Sequence, residues 1–377
     1  MPTLSIWEKE TFFALQDVII AGCGFSGLWS ALHLKLLHPG YNITLLEKEL
    51  IPKGASTRNA GFSCFGSPSE LISNAATMGE DNMWRLVEMR YKGLLEIRKF
   101  FSDEEIDYDA SGGYECFMET REGWRLCADQ LDSLNKNLKI ITGEEDLFKK
   151  SDSKLADFGF SGFDHLIENK LEGGLNPAKL IKALLKKVQA LGVQIVFGVS
   201  LAGYEEKNDQ VVLTTSLDHA FTCRQLLICT NAYTKNLIPG IDIIPNRGQV
   251  LITGPITNLP FRGTFHFDQG FYYFRNLGDR LLLGGARNMA FEEENTDEME
   301  TTSLIQNGLE DFITQHLLPG KSFTITDRWS GIMAMGTEKH PIIQQFSSGV
   351  FCCVRMSGMG VALAPVAAQQ VVRLMEK

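Results

Sequence analysis

The residues whose types and spacing can do chemistry start at Gly22. Gly22-Cys23-Gly24-Phe25-Ser26-Gly27 is a G-x-G-x-x-G, and Glu47 stands 20 residues past Gly27. In such a turn the first glycine permits a tight bend and the second lets the backbone approach a pyrophosphate. The third lets the following helix pack closely on the preceding strand. A helix opening there offers unpaired N–H groups and a partial positive charge to phosphate. An acid at the distance of Glu47 accepts hydrogen bonds from a ribose diol and disfavours the extra 2′-phosphate of NADP. Phe25, Ser26 and Lys48 are the neighbours that fall to the same candidate site. By themselves these residues say dinucleotide, and they leave NAD and FAD both open.

Regular elements must hold that turn in place. Residues 17–21 form a short apolar, β-branched run of the kind expected of a strand buried on both faces. Phe25, Leu28, Trp29, Leu32 and Leu36 then recur on one face of a helix, which His38-Pro39-Gly40 stops. Residues 42–46 predict a second buried strand that delivers Glu47. Instead of a further strand–helix unit, a small-residue loop follows and runs into predicted helices near 67–76 and 80–101. Near the C-terminus residues 350–354 predict a buried strand, and Ser357-Gly358-Met359-Gly360 predicts a Ser-capped helix start with bare N–H groups.

The whole chain sets bounds on partners. Its 377 residues allow two or three domains, and a net charge of −10 opposes nucleic-acid binding. The lysines at 179, 182, 186 and 187 read as a solvated helix face. Eight cysteines show no C-x-x-C and no metal-ligand spacing, so no metal is expected and the thiols read as small buried hydrophobes in a reducing compartment. There is no secretory signal pattern and no apolar run long enough for a membrane span, so a cytoplasmic location is expected. The acidic run at 291–300 reads as a solvated loop leading into a helix. Trp7, Phe12 and Phe13 are expected to pack onto the first domain or to form a short interaction arm.

Several later segments, in order, resemble one family. They are Pro52-Lys53-Gly54-Ala55-Ser56-Thr57-Arg58-Asn59-Ala60-Gly61-Phe62, Glu172-Gly173-Gly174-Leu175-Asn176-Pro177, the strand at 192–198, and Leu227-Ile228-Cys229-Thr230-Asn231-Ala232-Tyr233. Pro245-Asn246-Arg247-Gly248-Gln249-Val250, Gly270-Phe271-Tyr272-Tyr273-Phe274-Arg275 ahead of Leu281-Leu282-Leu283-Gly284-Gly285, and the W-x-G at Trp329-Ser330-Gly331 continue the series. Together they are similar to the D-amino-acid oxidase superfamily of FAD-dependent oxidoreductases, in its glycine oxidase, sarcosine oxidase and gamma-glutamylputrescine oxidase branch. The resemblance implies a mixed α/β and α+β fold: a Rossmann-like FAD-binding domain with a second, antiparallel-sheet substrate domain. The first would be discontinuous (1–75, 150–240 and 325–377) and the second drawn from 76–150 and 240–325.

It also implies site residues. Ser56, Thr57, Arg58, Asn59, Ala60 and Gly61 would lie against the flavin, Leu201 at the adenine, Thr230 and Asn231 at the ADP moiety. Gly331 and the helix start Gly358, Met359, Gly360 and Val361 would meet the flavin ring. The implied chemistry is oxidation of a C–N bond in an amine or amino acid by hydride transfer to flavin N5. The imine then hydrolyses, and O2 or another carrier reoxidises the flavin. Arg58, Tyr273 and Arg275 are the candidate catalytic residues. Strand alternation puts Tyr273 and Arg275 on one face and Tyr272 and Phe274 on the other.

The sequence also departs from the family pattern. Ile332-Met333-Ala334-Met335 stands where an Arg-Pro pair grips a substrate carboxylate, and Ala362 stands where a lysine is usual. Residues 331–337 hold no cysteine, which implies noncovalent FAD. The usual grip on a small α-amino acid is therefore in question, and a more apolar or extended amine is expected. Two other readings stay open. One is a 2-hydroxy-acid dehydrogenase with His266 or His340 as base, although each histidine is expected to be structural. The other is a flavin-binding subunit without turnover.

Overall fold

The apolar run at 17–21 becomes the centre of a sheet. The computed structural model describes residues 3–121 and 123–376. By contacts the chain divides into two units, one of Met1–Thr57, Ala178–Pro245 and Met333–Lys377, the other of Arg58–Pro177 and Asn246–Ile332. Residues 58–75 and 150–177 thus group with the second unit, whereas the sequence expectation had put them in the FAD-binding domain.

In the first unit the strand Gln16–Ala21 pairs in parallel with Phe221–Ile228 on one side and Ile43–Glu47 on the other. Val350–Val354 and Gln194–Phe197 extend the parallel run outward. Ile342–Gln345 closes one edge antiparallel, and the hairpin Leu201–Lys207 with Gln210–Thr215 hangs antiparallel on Phe221–Ile228. Central parallel strands are covered on both faces, which is why they read as unbroken apolar runs. The helix Phe25–Leu37 packs against the helix Gly360–Met375, with Leu28, Trp29 and Leu32 fully buried. Phe13 packs on Phe221 at 5.0 Å between ring centroids, while Trp7 and Phe12 are exposed.

The second unit is built on an eight-stranded sheet in the order Ile325–Met335, Ile244–Thr253, Arg280–Gly285, Tyr272–Leu277, Thr264–Phe267, Gly113–Phe117, His165–Asn169, Phe148–Lys150. Its pairs are antiparallel from Ile244–Thr253 to Tyr272–Leu277 and on to Thr264–Phe267, but Thr264–Phe267 runs parallel to Gly113–Phe117. Register sorts the side chains. Leu251, Leu283, Phe274, Phe265 and Tyr114 form one row across the sheet, and Val250, Gly284, Tyr273, His266 and Glu115 form the next. The first row builds the core beneath the helix Ser303–Phe312, where Tyr272 stacks on Phe312 at 4.5 Å. The predicted helices near 67–76 and 80–101 are Pro68–Met78 and Glu80–Phe100.

The acidic run at 291–300 is a mostly exposed loop ahead of the helix Ser303–Phe312, with one exception. Glu294 is 1% exposed and accepts from Arg247 Nε and Nη2 at 3.0 and 2.7 Å and from Gln249 Nε2 at 3.0 Å. A buried guanidinium must be paired or hydrogen-bonded, and Arg247 takes its counter-charge from this loop. Among the described residues no helix is long and apolar enough to cross a membrane, and no cluster of three or more His, Cys, Asp or Glu could hold a metal.

Candidate functional site

The glycine turn of the first unit has no room for side chains. A Cβ at Gly27 would lie 2.0 Å from the Gly22 carbonyl oxygen, and one at Gly22, where φ is +107°, would lie 2.7 Å from the Cys229 oxygen. At Gly24 it would lie 2.9 Å from Ser56 Oγ. Gly24 occupies the N-cap position of the helix and supplies no side-chain cap; Ser56 does so from another segment, accepting from Phe25 N at 2.9 Å. Glu47 Oε2 accepts from Cys23 N at 3.0 Å, and Oε1 accepts from Glu49 N at 3.1 Å. Burial pushes this carboxyl above its usual range, against the pull of the two N–H donors. Two bonds leave free lone pairs on the carboxylate, enough for a diol.

Other expected nucleotide residues lie in the same unit. Thr230 Oγ1 is 2.9 Å from Thr234 Oγ1. Asn231 is left-handed (φ +49°), and its Oδ1 is buried without a hydrogen-bond partner. Leu201 opens its strand, half-buried. Lys48 sits over the Tyr233 ring at 4.4 Å and near Glu49 at 3.8 Å. Thr57 Oγ1 donates to the Pro52 oxygen at 2.9 Å.

The C-terminal helix starts differently from the expectation. It runs Gly360–Met375 with Met359 at the N-cap position and no side-chain cap. Ser357 and Gly358 are both left-handed (φ +48° and +78°), and Ser357 N donates to the Ala334 oxygen at 3.2 Å. A capping serine must be extended and immediately precede the first helical residue. Ser357 meets neither condition, and its Oγ is buried without a partner. Two orphaned buried oxygens, a glycine cradle and a bare helix start give this unit the features that a dinucleotide fills.

In the second unit the loop at 58–61 is clamped from several sides. Asn59 Oδ1 accepts from Gly61 N at 2.9 Å, shaping a turn in which Gly61 has φ +72°. Trp329 Nε1 donates to the Arg58 carbonyl at 2.9 Å, and a Cβ at Gly331 would come within 3.0 Å of Arg58 Cβ. The W-x-G spacing is thus explained: its tryptophan ties the loop, and its glycine leaves space for it. Ala60 and Trp329 pack on Val250, Ile252 and Leu282. Arg58 Nε is buried without a partner.

Arg275 is tied to the main chain of the same loop. It is 5% exposed, and its Nη1 donates to the Gly61 and Leu175 oxygens at 2.8 and 3.0 Å while Nε donates to the Asn276 oxygen at 3.1 Å. A Cβ at Gly174 would fall 2.1 Å from its Cζ. Nε and Nη1 are bound to main-chain carbonyls, so Arg275 braces the 58–61 loop, while Nη2 makes no hydrogen bond among the described residues. Tyr273, on the same face, lies against Gly284, and its ring meets Phe62 edge-on at 5.9 Å. Burial raises its phenol to about 12.

His266 stands beside Tyr273 in register, 7% exposed and edge-on to Phe62 at 5.1 Å. Its Nε2 is 3.8 Å from Glu172 Oε2 and makes no hydrogen bond, and burial pushes the imidazole down to about 4. It borders a cavity of about 10 Å³ lined also by Glu115, Asn169 and Glu172, roughly the room that one water needs. His340, in the first unit, has its carbonyl bound by Arg355 Nε and Nη2 at 3.1 and 3.0 Å.

Known proteins share this architecture. L-proline dehydrogenase from P.horikoshii superposes with a TM-score of 0.76 at 17% identity, covering 96% of this chain and 93% of that one. Glycine oxidase from Bacillus cereus ATCC 14579 gives 0.75 at 17% identity, covering 96% and 95%. At such identities these matches show the fold. Among curated sequences, the bifunctional protein ThiO/ThiG of Synechocystis sp. is 23% identical over 63% of this chain, and the gamma-glutamylputrescine oxidoreductase of Escherichia coli is 32% identical over 32% of it. Those matches span only 33% and 30% of the relatives' own lengths. The mitochondrial L-2-hydroxyglutarate dehydrogenase of Mus musculus is 22% identical over 86% of this chain and 72% of its own. The FAD dependent oxidoreductase (DAO) family matches residues 17–374 as one stretch, and with the turn, the acid and the two-unit fold already in place, the chain belongs to that family.

Proposed function

We propose that this FAD-dependent oxidoreductase oxidises the C–N bond of an amine or amino acid, with FAD held noncovalently. In the first unit Gly22, Gly24, Gly27, Glu47, Asn231 and Ser357 would hold the cofactor. Bound FAD supplies a hydride acceptor at N5, and the imine left on the substrate hydrolyses in water. The chain's own part is to orient the substrate and keep its amine unprotonated, which needs no side-chain base. The observation that carries this reading is the state of His266: it is buried, without a hydrogen bond and pushed down to about 4, a poor base for drawing a proton from a hydroxyl at neutral pH. The absence of cysteine from 331–337 supports noncovalent binding. Acid precipitation should release all the flavin into the supernatant.

A second reading, oxidation of a 2-hydroxy acid, is favoured by the match to L-2-hydroxyglutarate dehydrogenase over 86% of the chain. Anaerobic bleaching of the FAD-loaded protein with amines, amino acids and 2-hydroxy acids separates the two. Bleaching by nitrogen compounds alone is the expected result, and bleaching by hydroxy acids alone would overturn the proposal. If no compound bleaches it, the protein binds flavin without turnover.

A further inference from the structure

His165 opens the strand His165–Asn169 directly opposite Phe117, the last residue of Gly113–Phe117. Its ring lies flat on the indole of Trp124, with 3.8 Å between centroids and 9° between planes. Trp124 is 9% exposed, stands in the first turn of the helix Gly123–Thr142, and also meets the Phe117 ring at 5.4 Å. Both nitrogens on the edge of the imidazole meet acids. Nδ1 is 3.0 Å from Asp152 Oδ2, and Nε2 is 2.8 Å from Glu119 Oε2.

Neither acid depends on the ring for its position. Asp152 Oδ1 accepts from Leu166 N at 2.8 Å, and Glu119 Oε1 accepts from Arg125 Nη2 at 3.3 Å. Glu119 N donates to Asp164 Oδ2 at 2.8 Å. A neutral imidazole has one N–H and one lone pair, so it can serve one carboxylate and must turn a lone pair on the other. Only the imidazolium donates to both, and its charge also favours the indole face that it covers. The remaining charges here among the described residues are Arg125 on Glu119, Asp164 on the Glu119 N–H, and Lys150, 5.3 Å from the Trp124 ring centroid. Burial pulls the imidazole down, but the bonds to Asp152 and Glu119 outweigh it and raise the ring above its usual 6.5. The bond to His165 in turn holds the Glu119 carboxyl below its usual range.

We propose that His165 is a pH-operated latch. Charged, it ties the start of the helix Gly123–Thr142 and the turn after Phe148–Lys150 to the edge of the second unit's sheet; without its proton it releases both. The folded ring holds its proton more tightly than the unfolded chain does. The latch therefore contributes in full below 6.5 and is lost as pH rises through the folded value. It needs no ligand and no covalent change, and it is independent of the C–N reading above.

An NMR titration of the FAD-loaded protein carrying ring-labelled histidine, with His165 assigned through His165→Gln, tests the charge. The His165 midpoint should lie above 6.5, and Glu119→Gln and Asp152→Asn should each lower it. Hydrogen exchange, corrected for the intrinsic rate, tests the tie. Its probes are the amides of 127–130, which bond to carbonyls of the first helical turn, and those of Leu155 and Leu166. Their protection should fall roughly two- to five-fold across the wild-type midpoint, the loss expected of partly exposed ion pairs. His165→Gln should give the low value at every pH, and the permanently charged His165→Arg the high one. A midpoint at or below 6.5, or wild-type protection that stays constant through the midpoint, overturns the proposal. Should His165→Gln fail to fold, the two acid variants decide, since those side chains are 48% and 43% exposed. One and the same histidine should then shift down in both, and no shift in either overturns the latch.

Discussion

Arg275 illustrates how a buried charged side chain can brace main chain. Its three bonds go to main-chain oxygens of Gly61, Leu175 and Asn276. Replacing it with methionine should strand buried acceptors and destabilise the protein by about 2–4 kcal/mol, read as a lowered midpoint in urea. A milder outcome, with a large rise in KM alone, would return Arg275 to the substrate side. Glu47 offers the complementary case. Its carboxylate already satisfies two backbone N–H groups and still has lone pairs to offer. Glu47→Ala should raise the Kd for FAD about ten- to a hundred-fold, measured by fluorescence on titrating apoprotein. The turn loses its Cys23 N–H acceptor as well, so some loss of stability should accompany it.

At the scale of elements, the strand–turn–helix at 16–37 depends on contacts closer than any side chain allows. With a Cβ at position 27 only 2.0 Å from the Gly22 oxygen, Gly27→Ala must push the helix off its strand. The variant should purify without flavin, as the absorbance ratio at 450 and 280 nm (about zero) would show, since a shifted helix start no longer meets the pyrophosphate. Ser56→Ala is the gentler test. It removes the acceptor of Phe25 N and should cost about 1 kcal/mol, typical of a lost cap, with FAD binding weakened in parallel. The sheet of the second unit was readable in part. Alternation at Tyr272 to Arg275 sorted the two faces as the register shows. It could not say that the Tyr273 face continues through His266 and Glu115, because those neighbours come from distant strands.

For the whole molecule, buried titratable groups set opposing trends with pH. His266 has its folded value lowered from 6.5 to about 4 by burial. Below about 6.5 the unfolded chain binds the proton first, so stability falls as pH drops through 6.5 towards 4, by at most about 3 kcal/mol. Glu115 and Glu172 are raised by burial to about 7 and about 8 from 4.5. Their contribution is complete below 4.5 and disappears as pH rises through 7 to 8. Melting temperature should therefore be highest in mildly acidic buffer. His266→Asn should flatten the acid side only, and Glu172→Gln the alkaline side only. An acid limb unchanged in His266→Asn would show that other groups control it.

The sequence alone determined whatever rests on local pattern: the buried strands, the helix behind the glycine turn, the acid at Glu47 and the burial of every cysteine but Cys64. Short-range periodicity encodes these directly, and their order along the chain sufficed to indicate the family. The tertiary structure decided which partner each polar group received. Arg275 meets oxygens 214 and 100 residues away in sequence. Glu294 is buried against Arg247, and Ser357 is left-handed and lies before the N-cap position of the helix it was expected to cap. A guanidinium or carboxylate has the same intrinsic chemistry in a brace, an ion pair or an anchor. Its role is fixed by desolvation and by the groups that folding brings within three ångströms, and no local spacing records those.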